Sequence, residues 1–372
     1  MHNFFKDTHR IVLKIGSSLL INGENRPNHE WLGSLAEDVA ELRQAGIEVA
    51  IVTSGAVALG ARFLGKSKRT MKLHEKQAAA ACGQLALVKA YEENFGRLAM
   101  PVAQILLTLE DSENRKRYLN ARATIETLLE IGVIPIINEN DTVATAELKF
   151  GDNDRLAARV AQMIGASTLV LLSDIDGLYT ADPGKNKNAR HIPEIHGIDE
   201  EIEAMGKDSA SDTGSGGMIT KIAAAKIADS SGCHTIITIG KISNPIKKLA
   251  LGGKHTKFIS RQDAEKARKN WIAKNLSTKG EVIIDEGALA ALNKGKSLLP
   301  AGVKSLKGNF DRGDTVLIKT AKGEEIGRGL IAYPVAEAQR IIGHKSREIE
   351  AILGFPGREE LIHRDDMVMK RV

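Results

Sequence analysis

The chain reads as an α/β protein whose parallel sheet is covered by helices on both faces, followed by a small β-barrel-like domain. From residue 10 to about 260, short β-branched runs alternate with helical stretches. That alternation is the pattern of strands joined by helical crossovers. After Trp271 it gives way to short strands parted by glycine turns, as in small barrels. At 372 residues there is length for two domains, each with its own core.

The elements follow in order. Residues 10–15 are a strand interrupted by Lys14, 29–45 an amphipathic helix stopped by Gly46, and 47–53 a second strand. Helical patterns occupy 73–95 and 111–131. Strands are expected at 133–137 and 168–172, with a helix over 155–164 between them. A helix over Ile222–Ser231 leads to a strand at 235–239. Each helix is assigned from its apolar spacing and stop signals, each strand from a short β-branched run. In the tail, strands are expected at 281–285, 297–299, 315–319 and 327–331. The resulting division is a first domain over 1–265, a linker over 266–279 and a second domain over 280–372.

Composition narrows the class. Hydrophobic residues make up 42% and charged residues 27%, as in ordinary soluble chains. No apolar run approaches the ~18 residues of a membrane span, and Met1–Asp7 has no signal-peptide core. Cys82 and Cys233 are the only cysteines, too few for a disulfide framework or a thiolate cluster. A cytoplasmic protein without a membrane partner is expected. The ten histidines show no metal-ligand spacing, and no nucleophilic triad presents itself. Of the net charge of +5, residues 241–275 concentrate ten basic against two acidic side chains. That segment is either a solvated face that attracts anions or a nucleic-acid contact.

Several motifs carry chemistry. Gly214-Ser215-Gly216-Gly217-Met218-Ile219-Thr220-Lys221 opens a helical pattern. Its glycines can turn N–H groups inward as an anion nest, with the helix dipole and the Lys221 ammonium behind them. A flexible loop before a helix is the plainer alternative. Lys14, in an apolar strand closed by Gly16-Ser17-Ser18, is costly unless it meets an anion or carboxylate; an edge-strand lysine reaching solvent is the other reading. Ser54 and Gly55 stand where strand 47–53 turns into a helix. Asn138–Asp141 follows strand 133–137, and Gly151-Asp152-Asn153-Asp154 precedes a helix. Two such polar clusters could bind an ammonium or orient lysines. Ser173-Asp174 closes strand 168–172, either as a nucleotide or metal contact or as a turn leading to a hairpin. The strands' carboxyl ends are where open α/β sheets bind ligands. A formal P-loop match, Gly60–Ser67, is rejected: Ala56 to Leu64 already reads as helix, and a P-loop needs a strand before its first glycine.

Taken in this order, Leu13–Ser18, Ile51–Ala56, Ile137–Asp141, Gly151–Asp154, Ser173-Asp174 with Gly177–Pro183, and Gly216–Lys221 resemble the amino acid kinase family. Gly308–Asp314, Ile349–Gly354 and His363–Met367 resemble the PUA domain. Ser173 and Ser215 stand where threonine is expected, and both keep a hydroxyl. The resemblance implies a three-layer αβα sandwich with a mainly parallel open sheet, an amino acid kinase domain over 1–265 and a PUA-like domain over 280–372. It implies ATP-dependent phosphorylation of the γ-carboxylate of L-glutamate, the first step of proline biosynthesis, with Mg2+ accompanying ATP and no metal ligand from protein side chains. By motif position, Lys14, Asp154 and Lys221 are the implied catalytic residues, and Ser54, Asp141 and Asn153 the implied glutamate contacts. Lys14, Ser173, Asp174, Ser215, Gly216, Gly217, Met218, Ile219, Thr220 and Lys221 are the implied ATP contacts. A homo-oligomer, inhibition by proline and hand-over of the labile product to glutamyl phosphate reductase are also implied. The alternatives are another carboxylate or carbamate kinase of the family, or an RNA-binding protein acting through the tail; nucleic acid is not expected as the main partner.

Overall fold

The computed structural model describes residues 1, 3–66, 70–143, 153–208, 217–261 and 278–370. The chain divides into two units, Met1–Asn114 with Asn120–Ala264 and Arg115–Leu119 with Glu265–Val372. Most of the expected linker, 266–277, falls outside the described residues.

Up to residue 264 the chain runs β1 (Arg10–Ile15), α1 (Ser17–Leu20), α2 (His29–Gln44), β2 (Glu48–Val52), α3 (Ala56–Leu64), α4 (Leu73–Gly96), β3 (Val102–Leu107), α5 (Leu109–Glu113), α6 (Arg115–Glu130), β4 (Ile134–Glu139) and α7 (Asn153–Ile164). It continues with β5 (Thr168–Ser173), β6 (Leu178–Tyr179), β7 (His191–Ile192), β8 (Glu194–Ile195), α8 (Glu200–Asp208), α9 (Met218–Asp229), β9 (His234–Ile239), α10 (Pro245–Ala250) and β10 (His255–Phe258). Eight strands form one sheet in the order β3-β4-β2-β1-β5-β9-β10-β8. From β3 to β9 every pairing is parallel. Only β10 runs against its neighbour β9.

The strand order places a switch point at β1. Its partners on one side are β2, β4 and β3, and on the other β5 and β9. The connection after β1 goes to β2, whereas the one after its neighbour β5 goes the other way, toward β9; open sheets bind ligands at the carboxyl edge of such a point. Side-chain alternation along β1 separates the two faces. Ile11, Leu13 and Ile15 join a core with Leu32, Leu35 and Val39 of α2 and Leu87, Tyr91 and Phe95 of α4. Lys14, of the other parity, turns to the side of α7 and α9, where Asp154 meets it. This is the three-layer sandwich.

Two glycines decide how closely α3 and α4 cross. A Cβ on Gly60 would stand 1.7 Å from the Ala79 carbonyl oxygen, and one on Gly83 1.8 Å from that of Ala56. The backbones are in direct contact, which only glycine permits. Gly60 is therefore a packing residue, and Gly65, at φ +60, ends α3. Lys66 pairs with Glu75 at the start of α4. The Gly60–Ser67 match thus spans a helix and its cap as far as Lys66; Ser67 lies outside the described residues.

Three expectations need correction, and one open alternative is resolved. The single helix at 111–131 is two, because Thr108 and Asp111 build a capping box for α5 and Asn114 then adopts an extended backbone. The helix expected from Ile222 begins at Met218, so Met218–Lys221 belong to its first turn. Residues 297–299 are not a strand: Leu298 makes one isolated bridge to Ile362, and Pro300 opens a 3-10 turn. The segment after Ser173 does lead to a hairpin, β6 with β7. There Gly177 has φ +156, with His191 and Thr256 in the space a Cβ would need.

The second unit holds a five-stranded sheet in the order Val303–Gly308, Gly280–Ile284, Thr315–Thr320, Glu325–Leu330, Met367–Met369. Val282, Ile284, Val316 and Ile318 from its strands pack with Leu292, Ala338, Ile341 and Ile349 from three short helices. The edge strands 303–308 and 367–369 escape the sequence reading, since the first is mostly exposed and the second is only three residues long.

Gly83→Ala is expected to force α3 and α4 apart and to lower the melting temperature by several degrees, given about 1–3 kcal/mol for overpacking. Gly96→Ala, with nothing within 4 Å of its would-be Cβ, is expected to leave it unchanged or slightly raised. Thermal unfolding of the two variants side by side checks the claim; an unaltered melt for Gly83→Ala refutes it.

Candidate active site

The motifs gather at the carboxyl edge of four neighbouring parallel strands. Asn138, Glu139 and Asp141 stand at the end of β4, Ser54 follows β2, Gly16 and Ser17 follow β1, and Ser173 and Asp174 end β5. Lys14 lies in the central strand β1, level with Val52 of β2 and Leu171 of β5. Helices α7 and α9 bring Asp154 and Lys221 from one layer of the sandwich.

Asp154 organises this region. Its Oδ1 lies 2.7 Å from Lys14 Nζ and its Oδ2 3.3 Å from Lys221 Nζ. The Thr220 hydroxyl donates to Oδ2 at 2.7 Å and lies 2.8 Å from the Gly217 carbonyl oxygen. All three charged residues are buried: Asp154 is 1% exposed, Lys221 5% and Lys14 9%. Burial would raise the pKa of the Asp154 carboxyl, but the ammonium groups of Lys14 and Lys221 and the Thr220 hydroxyl outweigh it. The carboxyl is held well below the usual carboxylate range. Removing one partner from such a cluster leaves a buried charge without its counter-ion, a cost of about 3–5 kcal/mol. The strand lysine of the sequence is thus answered by a carboxylate and not by solvent.

A second network flanks the first. Asn153 Nδ2 donates to the Thr53 carbonyl oxygen at 2.5 Å and to Asn138 Oδ1 at 3.1 Å. Asn138 Nδ2 donates to Gln84 Oε1 at 2.8 Å. The Thr53 hydroxyl meets the Tyr91 hydroxyl at 2.9 Å. Ser54 gives its proton to the Ile15 carbonyl oxygen at 2.9 Å, tying β2 to β1 and leaving its oxygen an acceptor. Asp141 is half-buried in the turn after β4. Gln84, Tyr91 and Thr53 are absent from the sequence-derived set. Gln84 sits in an Ala-rich helix with no motif around it, and only the approach of α4 to β4 reveals it.

On the other side of β1, Ser173 is buried and donates to Asp174 Oδ1 at 3.1 Å. The Gly240 N–H donates to the Ser173 carbonyl oxygen at 2.7 Å, and Trp31 Nε1 donates to the Gly240 carbonyl oxygen at 2.7 Å. Gly217 caps α9, so Met218, Ile219, Thr220 and Lys221 form its first turn. Thr220 faces Asp154, while Ile219 is 48% exposed. Ser215 and Gly216 lie outside the described residues. Among the described residues no three His, Cys, Asp or Glu side chains converge to hold a metal, and no helix is long and apolar enough to cross a membrane.

A mainly parallel sheet with two buried lysines clamped to one carboxylate near its switch point fits an α/β protein that receives anions at its strand ends, and comparison with known proteins makes it a kinase. The amino acid kinase family model matches residues 9–238, and the PUA domain model residues 280–353. The chain belongs to the amino acid kinase family and carries a PUA domain. It is 54% identical to the glutamate 5-kinase of Paramagnetospirillum magneticum, over 97% of this chain and 98% of that one. It is 53% identical to the glutamate 5-kinase of Brucella ovis, over 98% and 97%. The solved UMP kinase of Ureaplasma parvum matches with a TM-score of 0.48 and 17% identity, over 68% of this chain and 98% of that one.

Asp154→Asn is expected to lower kcat by about two orders of magnitude or more, since both lysines lose their anchor. The pH dependence follows from the depressed pKa. Asp154 contributes stability above its unfolded value of 3.8, and that contribution is lost only as pH falls below it. An ionisation in the acid limb of kcat between about pH 5 and 7 therefore belongs to another group. If that limb vanishes in Asp154→Asn, the assignment fails.

Proposed function

We propose that this chain transfers the γ-phosphoryl group of ATP to the γ-carboxylate of L-glutamate, giving L-glutamyl 5-phosphate for proline biosynthesis. The observation that carries the reading is the Lys14–Asp154–Lys221 cluster at the carboxyl edge of β1. Near-full-length identity to two glutamate 5-kinases selects the substrate.

The chemistry needs no base. A γ-carboxylate has a pKa near ~4.3 and is already an anion at neutral pH. The barrier is electrostatic, because that anion must approach a polyphosphate. Lys14 and Lys221 meet the phosphoryl oxygens in transit, where fixed charge in a dry site counts most. Asp154 does not touch the reacting atoms; it fixes both ammonium groups so that they need not reorganise. Ser54, Asp141 and Asn153 hold the amino-acid end of glutamate. The Ser54 and Asn153 oxygens are acceptors, suited to an ammonium, and Asp141 supplies negative charge. Ser173, Asp174, Ser215, Gly216 and the first turn of α9 hold the nucleotide. Mg2+ accompanies ATP on its phosphates, where it would offset negative charge; the described side chains offer no cage of their own.

Every residue in this scheme lies before 222. The kinase domain is assigned to 1–265 and the PUA domain to 280–372, joined by 266–279. Proline shares the α-carboxylate and an ammonium with glutamate and lacks the acceptor carboxylate, so it competes at the same end of the site. The protein works in the cytoplasm as a homo-oligomer. The labile acyl phosphate passes to glutamyl phosphate reductase.

Hydroxylamine trapping is the direct test. With ATP and Mg2+, L-glutamate is expected to give hydroxamate, whereas aspartate, N-acetylglutamate and carbamate give little. Turnover that prefers one of those acceptors points to another activity within the family. A chain ending near residue 265 is expected to retain the reaction; a folded but inactive truncation places part of the site in the tail.

A further inference from the structure

We propose that Gln84 is a positioning residue for the amino-acid substrate, acting through Asn138 to fix which end of the Asn153 amide the site presents. The inference rests on the proposed glutamate reaction and on Asn153 contacting the substrate ammonium.

A carboxamide can sit in either of two orientations, and its hydrogen-bond partners decide between them. Thr53 supplies the fixed point. Its backbone carbonyl can only accept, so it holds the Asn153 amino group at 2.5 Å. The second N–H of that group is then offered to Asn138 Oδ1, at 3.1 Å. This works only while Asn138 keeps its oxygen toward Asn153. Gln84 keeps it there, because Gln84 Oε1 accepts from Asn138 Nδ2 at 2.8 Å. Were Asn138 to turn over, two amino groups would face one another at the Asn153 end and two oxygens at the Gln84 end.

The chain of three amides leaves one loose atom at each end. Asn153 Oδ1 and Gln84 Nε2 are buried and have no hydrogen-bond partner. An unmet buried polar atom costs about 1–3 kcal/mol, and two in one network call for a functional reason. Asn153, spent as a donor on Thr53 and Asn138, has only acceptor capacity left. That suits an ammonium group. The height at which Gln84 meets Asn138 is set by close packing: beside it, Gly83 lies with its backbone against Ala56.

Gln84→Met keeps the side-chain length and helical preference and removes the acceptor. It is expected to raise the glutamate KM about tenfold or more while the ATP KM stays within about twofold. Gln84→Glu retains an acceptor for Asn138 and is expected to hold the glutamate KM within about threefold of wild type. A purely structural residue would move both KM values and the melting temperature together, and that result overturns the proposal. So does a Gln84→Glu protein no better than Gln84→Met. If Gln84→Met is unfolded at the assay temperature, Gln84→Glu decides alone, a tenfold rise counting against the proposal. Hydroxamate formation by the unaltered chain is measured in the same series. Its failure would remove the glutamate reading itself, whereas a normal wild-type value with an indifferent Gln84→Met removes only the role of Gln84.

Discussion

One buried carboxylate governs the arrangement of this site. Asp154 meets a lysine from the central strand and a lysine from the first turn of α9, together with the hydroxyl beside the latter. Neither lysine would be tolerated at such depth alone, because an unpaired ammonium in a dry interior loses far more hydration than packing returns. The pairing in turn fixes the relative placement of β1, α7 and α9. The three residues that tie these elements together electrostatically are the same three proposed to meet the phosphoryl group.

The surrounding architecture explains how such a cluster can be held. Parallel strands bring the ends of β4, β2, β1 and β5 to one edge, and the connections change direction between β1 and β5, where Lys14 arrives. Contact between α3 and α4 through Gly60 and Gly83 sets α4 deep enough for Gln84 to reach Asn138 and Tyr91 to reach Thr53. Packing glycines on α3 and α4 thereby determine where amide groups stand. The two sides of β1 differ in character. Toward β2 and β4 lie amides, hydroxyls and Asp141, suited to an amino acid. Toward β5 and α9 lie Ser173, Asp174, a helix start and Lys221, suited to phosphates.

This division matches a reaction between two anions. A carboxylate acceptor, already ionised at neutral pH, does not require a group poised to move a proton. What must be supplied is fixed positive charge and orientation, and the site is built from lysine, carboxylate and carboxamide groups. The PUA domain has its own core of Val282, Ile284, Val316, Ile318 and neighbours, and none of the residues assigned to the reaction lies in it.

Much of this was legible in the residues themselves. The alternation of β-branched runs with helices dictated a parallel sheet, because each strand must be buried on both faces. Lys14 in an apolar run signalled a buried counter-charge, since an ammonium at such a place is otherwise penalised, and Asp154 supplies it. Tertiary structure alone decided the rest. That Asp154 clamps both lysines depends on α7 and α9 meeting over β1, contacts spanning 140 and 67 residues. The break at Asn114 and the loss of a strand at 297–299 turned on capping and on a single proline, too local to alter a periodic pattern. Gln84 was invisible because nothing in its helix distinguishes it; only a polar partner brought from β4, 54 residues away, gives that side chain a role. Periodicity records which face is buried, whereas a site depends on what the fold brings opposite that face.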